Sequence, residues 1–203
     1  VMSTGASNEA DIAWAVDCFR KNGGAELYLL QCTAKYPAPL SSLNIKTLTW
    51  LRERFACEVG LSDHSRHPIY GPVTATALGA KVIEKHYTLD NRLPGPDHGF
   101  AITADELKQM VTSIRSVEQC LGDGVKQVSD VEMELAQFAR RGLQASRHIA
   151  KGDQLLDGKN LSILRPGNMP LGLHPKHLDK LQGKKASRDI KLGEGIREGD
   201  WVE

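Results

Sequence analysis

Over the first 125 positions, short apolar runs rich in β-branched and leucine residues alternate with longer stretches of helical periodicity, the pattern of βαβ units and a parallel sheet. Three strand-like runs are complete: Glu26 to Cys32, Cys57 to Leu61 and Lys81 to His86. Val1-Met2-Ser3 reads as the end of a fourth. Between them lie amphipathic helices. Ser7 or Asn8 can cap a helix that sets Ile12, Ala15, Val16 and Phe19 on one face and stops at Gly23-Gly24. Thr103 and Glu106 have capping-box spacing ahead of Leu107, Met110, Val111, Ile114, Val117 and Leu121, with Gly122 as the stop. Such stripes are expected to pack against the sheet and do nothing else.

From about Asp123 the pattern changes to glycine-rich turns and short strands. An internal duplication lies here: Ser146-Arg147-His148-Ile149, then Gly152-Asp153-Gln154-Leu155 and Gly158, recurs as Ser187-Arg188-Asp189-Ile190, Gly193-Glu194-Gly195-Ile196 and Gly199. Two similar strand-turn units predict a compact, pseudo-symmetric β module close to the lower size limit for independent folding. The expected organisation is an α/β domain over 1–125, a linker over 126–141 and a β-rich domain over 142–203.

Composition narrows the function by exclusion. With 26 basic and 25 acidic residues in 203, no charge excess exists to hold a nucleic-acid backbone or an anionic membrane, so neither is an expected partner. No apolar run approaches the roughly 20 residues of a membrane span. The four cysteines, Cys18, Cys32, Cys57 and Cys120, show no C-x-x-C spacing, which argues against a zinc knuckle or disulfide framework and favours a reducing, cytoplasmic setting. The start of the chain, Val1-Met2-Ser3, has the character of mid-domain sequence.

In parallel α/β architectures ligands bind at the carboxyl ends of the strands. Ser62-Asp63-His64, Lys85-His86 and Cys32 to Pro37 all fall at such ends. His64 and His86, from consecutive strands, can offer two neutral imidazoles to one divalent ion. A pair of hydrogen-bonded structural histidines fits the same spacing. His67, His98, His148, His174 and His177 read as surface or capping residues. The turn-rich loop Leu93 to Gly99 offers Asp97 as a ligand-binding carboxylate, or is a turn and nothing more.

Taken in order, Ser3-Thr4-Gly5, Gln31-Cys32-Thr33 with Tyr36-Pro37, Gly60-Leu61-Ser62-Asp63-His64-Ser65, Ile83-Glu84-Lys85-His86-Tyr87-Thr88, Pro94-Gly95-Pro96-Asp97 and Arg165-Pro166-Gly167-Asn168 resemble the N-acetylneuraminate synthases, a family that includes legionaminate, pseudaminate and spore-coat polysaccharide synthases. The resemblance covers essentially the whole chain. It implies strands five to eight of a (β/α)8 TIM barrel, with the first four absent, followed by an antifreeze-like (SAF) domain. It implies that His64 and His86 hold a divalent metal, typically Mn2+, with Mg2+ or Co2+ as alternatives. By the same comparison Ser3 and Ser62 contact phosphoenolpyruvate, Tyr36 and Asp97 contact an N-acyl aldose, and Phe138 packs as an aromatic residue in the linker. Arg165 would reach the sugar from the other subunit of a domain-swapped homodimer. Ala34 departs from the asparagine found there in a family member, where it helps bind phosphoenolpyruvate, and His64-Ser65-Arg66-His67-Pro68 looks more like the spore-coat branch.

The chemistry the resemblance implies is attack of C3 of phosphoenolpyruvate on the sugar aldehyde, polarised by the metal, then addition of water at C2 and departure of phosphate by C–O cleavage. A hexosamine acceptor would give a nine-carbon 2-keto acid. His64, His86 and Asp97 are the expected catalytic groups. Two other readings compete: a metal-independent pyruvate aldolase with Lys85 as its Schiff-base residue, and a non-catalytic fragment that binds sugar or a partner subunit. A half-barrel with open sheet edges is expected to be inactive and association-prone by itself.

Overall fold

A computed structural model describes residues 1–203, which form two compact units, Val1–Val125 and Lys126–Glu203. In the first, strands β1 (Met2–Ser3), β2 (Tyr28–Cys32), β3 (Glu58–Asp63) and β4 (Val82–Lys85) make one sheet in that order, and every neighbouring pair is parallel. Helices α1 (Glu9–Lys21), α2 (Thr47–Phe55) and α3 (Tyr70–Ala77) connect successive strands, and α4 (Ala104–Leu121) follows β4.

Side chains alternate across a strand, so each strand has two faces with different tasks. Leu29, Val59 and Leu61 face the helices, where they are buried with Ile12 and Val16 of α1, Leu48, Leu51 and Phe55 of α2, and Ala75 of α3. Each such large side chain contributes about 1.5–3 kcal/mol by leaving water. The opposite face carries Leu30, Gly60 and Ser62, and it narrows at one point: Leu30 pairs with Gly60 in register, and a β-carbon at Gly60 would run into Leu30 and the Val82 carbonyl.

Helix starts follow the capping chemistry read from the sequence. Asn8 Oδ1 accepts from the backbone N–H of Ala10 at 2.8 Å and of Asp11 at 3.1 Å, and the Asp11 carboxylate accepts from the Asn8 N–H in return. Thr103 and Glu106 form the capping box of α4, whose end is marked by Gly122 at φ 60°. Strand limits differ from the expectation: β3 runs on through Ser62 and Asp63, because both continue the ladder with Glu84 and Lys85 of β4.

The second unit holds two antiparallel pairs, β5 (Gly142–Ala145) with β6 (Leu161–Leu164) and β7 (Lys185–Ala186) with β8 (Trp201–Val202), and helices α5 (Met133–Ala139) and α6 (Leu178–Leu181). Its core gathers Leu143, Ile149, Leu155, Leu161, Leu181, Ile190 and Ile196. The duplicated segments pair with each other reciprocally. Ile149 and Ile190 exchange backbone hydrogen bonds at 2.9 and 2.8 Å, the Gly152 N–H donates to the Ala186 carbonyl and the Gly193 N–H to the Ala145 carbonyl, both at 2.8 Å. The Asp153 carboxylate accepts from Ala150 N–H, and the equivalent Glu194 carboxylate from Lys191 N–H, each at 3.0 Å. Helix α5 falls within the stretch expected as a linker and leaves Met133, Leu135 and Phe138 exposed. No helix is long and apolar enough to cross a membrane.

Candidate active site

The carboxyl ends of β2, β3 and β4 bring the candidate residues of the first unit together. His64 directly follows β3 and His86 directly follows β4, so the parallel register sets their rings side by side, edge to face, with centres 5.1 Å apart. Tyr36, in the loop after β2, lies against both, at 4.3 Å from His64 and 5.7 Å from His86. Phe100 closes the group, 4.9 Å from His86 and 5.6 Å from Tyr36.

The two imidazoles have different surroundings. His64 is buried, and that burial, with the nearby His86 second, pushes its pKa below 6.5, which favours the neutral ring. Its Nδ1 lies 3.6 Å from the Cys32 sulfur. His86 is more open, and its Nδ1 faces the Asp97 carboxylate at 3.6 Å.

A hydrogen-bond frame holds the strand ends. The Ser62 hydroxyl donates to Glu84 Oε1 at 2.6 Å. On the other face of the same strand pair the Lys85 ammonium donates to Asp63 Oδ2 at 2.8 Å and to the Ser65 carbonyl, while Asp63 Oδ1 accepts from the Ser65 N–H at 2.8 Å. This clamp fixes the turn that carries His64. Gly71 at the start of α3 leaves room for it, since a β-carbon there would stand 2.8 Å from Asp63 Oδ2.

Of the expected residues, His64, His86, Tyr36 and Asp97 form one cluster, with Ser62 at its base. Ser3 is exposed at the end of β1; its register partner is Leu30, two residues before Cys32. Ala34 is exposed and lies beside Gly5. Phe138 and Arg165 belong to the second unit. Phe138 lines a cavity of about 530 Å³ with Asn168 and Met169, and Arg165 is exposed just after β6. Cys32, Glu84 and Phe100 are neighbours of the site to which the sequence reading gave no role. Their only signal was membership of, or nearness to, the strings that carry the resemblance, because which side chains meet across strands depends on register.

The histidine pair fits a shared metal ion. Two imidazoles that each place one nitrogen about 2 Å from a common ion have ring centres on the order of 5 Å apart, in keeping with the spacing found. No third His, Cys, Asp or Glu completes a cluster of three with them.

Residues 1–126 match the model of the NeuB family, and residues 140–200 match the SAF domain. The chain is 40% identical to a pseudaminic acid synthase of Campylobacter jejuni over 99% of its own length and 57% of the relative's. It is 39% identical to an N,N'-diacetyllegionaminic acid synthase of the same organism, over 98% of its own length and 58% of that protein's. Among solved structures, the spore coat polysaccharide biosynthesis protein SpsE of Bacillus subtilis matches with a TM-score of 0.56 and 38% identity, covering 100% of this chain and 61% of that one. The chain thus spans little more than half the length of these relatives. Since one family model matches most of the chain, including both histidines at the strand ends, the chain belongs to the NeuB family and carries a SAF domain after its α/β unit.

Proposed function

We propose that the polypeptide carrying these residues is a nonulosonic acid synthase that condenses phosphoenolpyruvate with an N-acyl aldose. The observation that carries this reading is the 5.1 Å pairing of His64 and His86 beneath Tyr36, at the ligand-binding end of a parallel sheet. In this proposal the four strands of the sheet are the latter half of an eight-stranded barrel. The relatives support the choice of reaction class, since those named are synthases of pseudaminic and legionaminic acids.

His64 and His86 would hold a divalent cation, Mn2+ for preference, which would act as a Lewis acid on the sugar aldehyde. Burial favours the neutral form of the His64 ring, the form that can coordinate. The Tyr36 ring, exposed at its outer side and packed on both imidazoles, offers a wall for the acceptor sugar. Asp97 would hydrogen-bond a sugar hydroxyl while facing His86, and Ser62 and Ser3 would contact phosphoenolpyruvate. Arg165 would reach the sugar from the other subunit of a domain-swapped homodimer, and Phe138 would contribute an aromatic side chain to substrate binding. In the overall change, C3 of phosphoenolpyruvate bonds to the aldehyde carbon, water adds at C2, and phosphate leaves with the C–O bond.

Lys85 lends no support to the aldolase alternative. A Schiff base needs a free amine lone pair, whereas this side chain, 2% exposed, donates to Asp63 and Ser65.

Mass spectrometry tests the proposal. The polypeptide with all eight barrel strands is incubated with phosphoenolpyruvate, Mn2+ and a panel of N-acetylated aldoses, and phosphate release is followed alongside. A 2-keto acid of the summed carbon skeleton is expected from one of them, with His64→Ala and His86→Ala inactive. Phosphate release without a new C–C bond, or no reaction with any aldose, would count against it.

A further inference from the structure

Each ring of the histidine pair has its Nδ1 beside another polar side chain. His86 Nδ1 faces Asp97, and His64 Nδ1 faces the sulfur of Cys32, 3.6 Å away. Cys32 ends β2 and is the register partner of Ser62, so its side chain stands on the sheet face that carries the site. It is a free, partly buried thiol. Its place is set from the other side by Gly5: a β-carbon there would stand 2.8 Å from the Cys32 sulfur. A larger residue at position 5 would displace the sulfur from His64.

An imidazole that ligates a metal through one nitrogen is oriented by what its other nitrogen bonds, and this partner fixes both the tautomer and the ring angle. Carboxylates and carbonyls are the usual partners. A sulfur is a weaker acceptor.

We propose that Cys32 is a positioning residue for the metal centre. Its sulfur accepts the Nδ1–H of His64 and holds the ring in that tautomer, in which Nε2 keeps the lone pair that would coordinate a divalent ion. Gly5 is the residue that makes room for it. The proposal rests on the metal reading given above.

Two variants separate positioning from packing. Cys32→Val fills the space without an acceptor, and Cys32→Ser restores an acceptor in a smaller side chain. Mn2+ binding to each is measured by the electron paramagnetic resonance of the free ion, and the His64 ring tautomer is read by 15N NMR in the metal-free protein. Cys32→Val is expected to weaken Mn2+ binding about tenfold and to lose the single Nδ1–H tautomer. Cys32→Ser is expected to keep both. Wild-type affinity and tautomer in Cys32→Val would overturn the proposal, as would a loss in Cys32→Ser equal to that in Cys32→Val. If Cys32→Val fails to fold, Cys32→Ala takes its place in the comparison. A wild-type protein that binds no Mn2+ would remove the metal reading, and the ring spectra alone would then decide whether the sulfur sets the tautomer.

Discussion

Lys85 and Asp63 are cross-strand partners joined by an ion pair of 2.8 Å, with side chains 2% and 0% exposed. Removing one member of such a pair leaves an uncompensated buried charge, which costs about 3–5 kcal/mol. Lys85→Met is therefore expected to lower the unfolding free energy of the first unit by that amount, and Lys85→Met with Asp63→Asn to recover part of it. Urea denaturation of the three proteins checks this. Equal stability of the single variant and the wild type would show that the clamp on the His64 turn is dispensable.

Gly60 is a second point of strict fit. A methyl group there meets a backbone carbonyl, which cannot rotate away, so Gly60→Ala is expected to be destabilising by about 1–3 kcal/mol. Gly99, whose β-carbon would meet nothing, serves as the control. Thermal melting of Gly60→Ala and Gly99→Ala should separate clearly.

Gln144 is 1% exposed, and neither atom of its side-chain amide has a hydrogen-bond partner. Burying an unpaired polar group costs about 1–3 kcal/mol. Replacement by methionine, of similar shape, is expected to raise the melting temperature of the second unit. A fall would mean that the amide does have a partner in solution.

Arg188 bonds both Glu194 and Asp200, at 2.8 and 2.7 Å. Its guanidinium holds the Glu194 carboxyl below its ordinary value of 4.5. A carboxyl whose folded pKa is depressed stabilises the fold above its unfolded pKa, and that contribution is lost as the pH falls through the folded value. The second unit should therefore lose stability below about pH 4.5. Arg188→Met should flatten that part of the curve. Parallel curves for the two proteins would rule out this pair as the cause.

Asp97 faces both His86 and the open side of the cluster, so its role shows in how its loss divides between binding and turnover. If it acts on the sugar as the aldehyde reacts, Asp97→Ala should lower kcat as well as kcat/KM. A rise in KM with unchanged kcat would reduce Asp97 to ground-state binding.

Much of this architecture is legible in the sequence, and the rest is hidden from it for physical reasons. The apolar cores of the strands, such as Leu29-Leu30 and Val59 to Leu61, and the caps at Asn8 and Thr103 are set by neighbours within a few positions, so a linear pattern reveals them. The histidine pair was visible because two strand ends were. What could not be read was lateral: that Ser62 and Asp63 continue β3, that Lys85 is spent on Asp63, and that Cys32 meets His64. Each depends on register between segments far apart in the chain. Helix α5 was missed for another reason, since it has no buried residue and so little amphipathic signature.

The exchange of hydrogen bonds between the two duplicated arms of the second unit has a consequence for how it assembles. Each arm supplies the acceptors that the donors of the other require, so neither is a template that can form first and wait. The unit should gain its order in one concerted event, and a single proteolytic cut between Gly158 and Ser187 that let the arms part would cost both of them their structure.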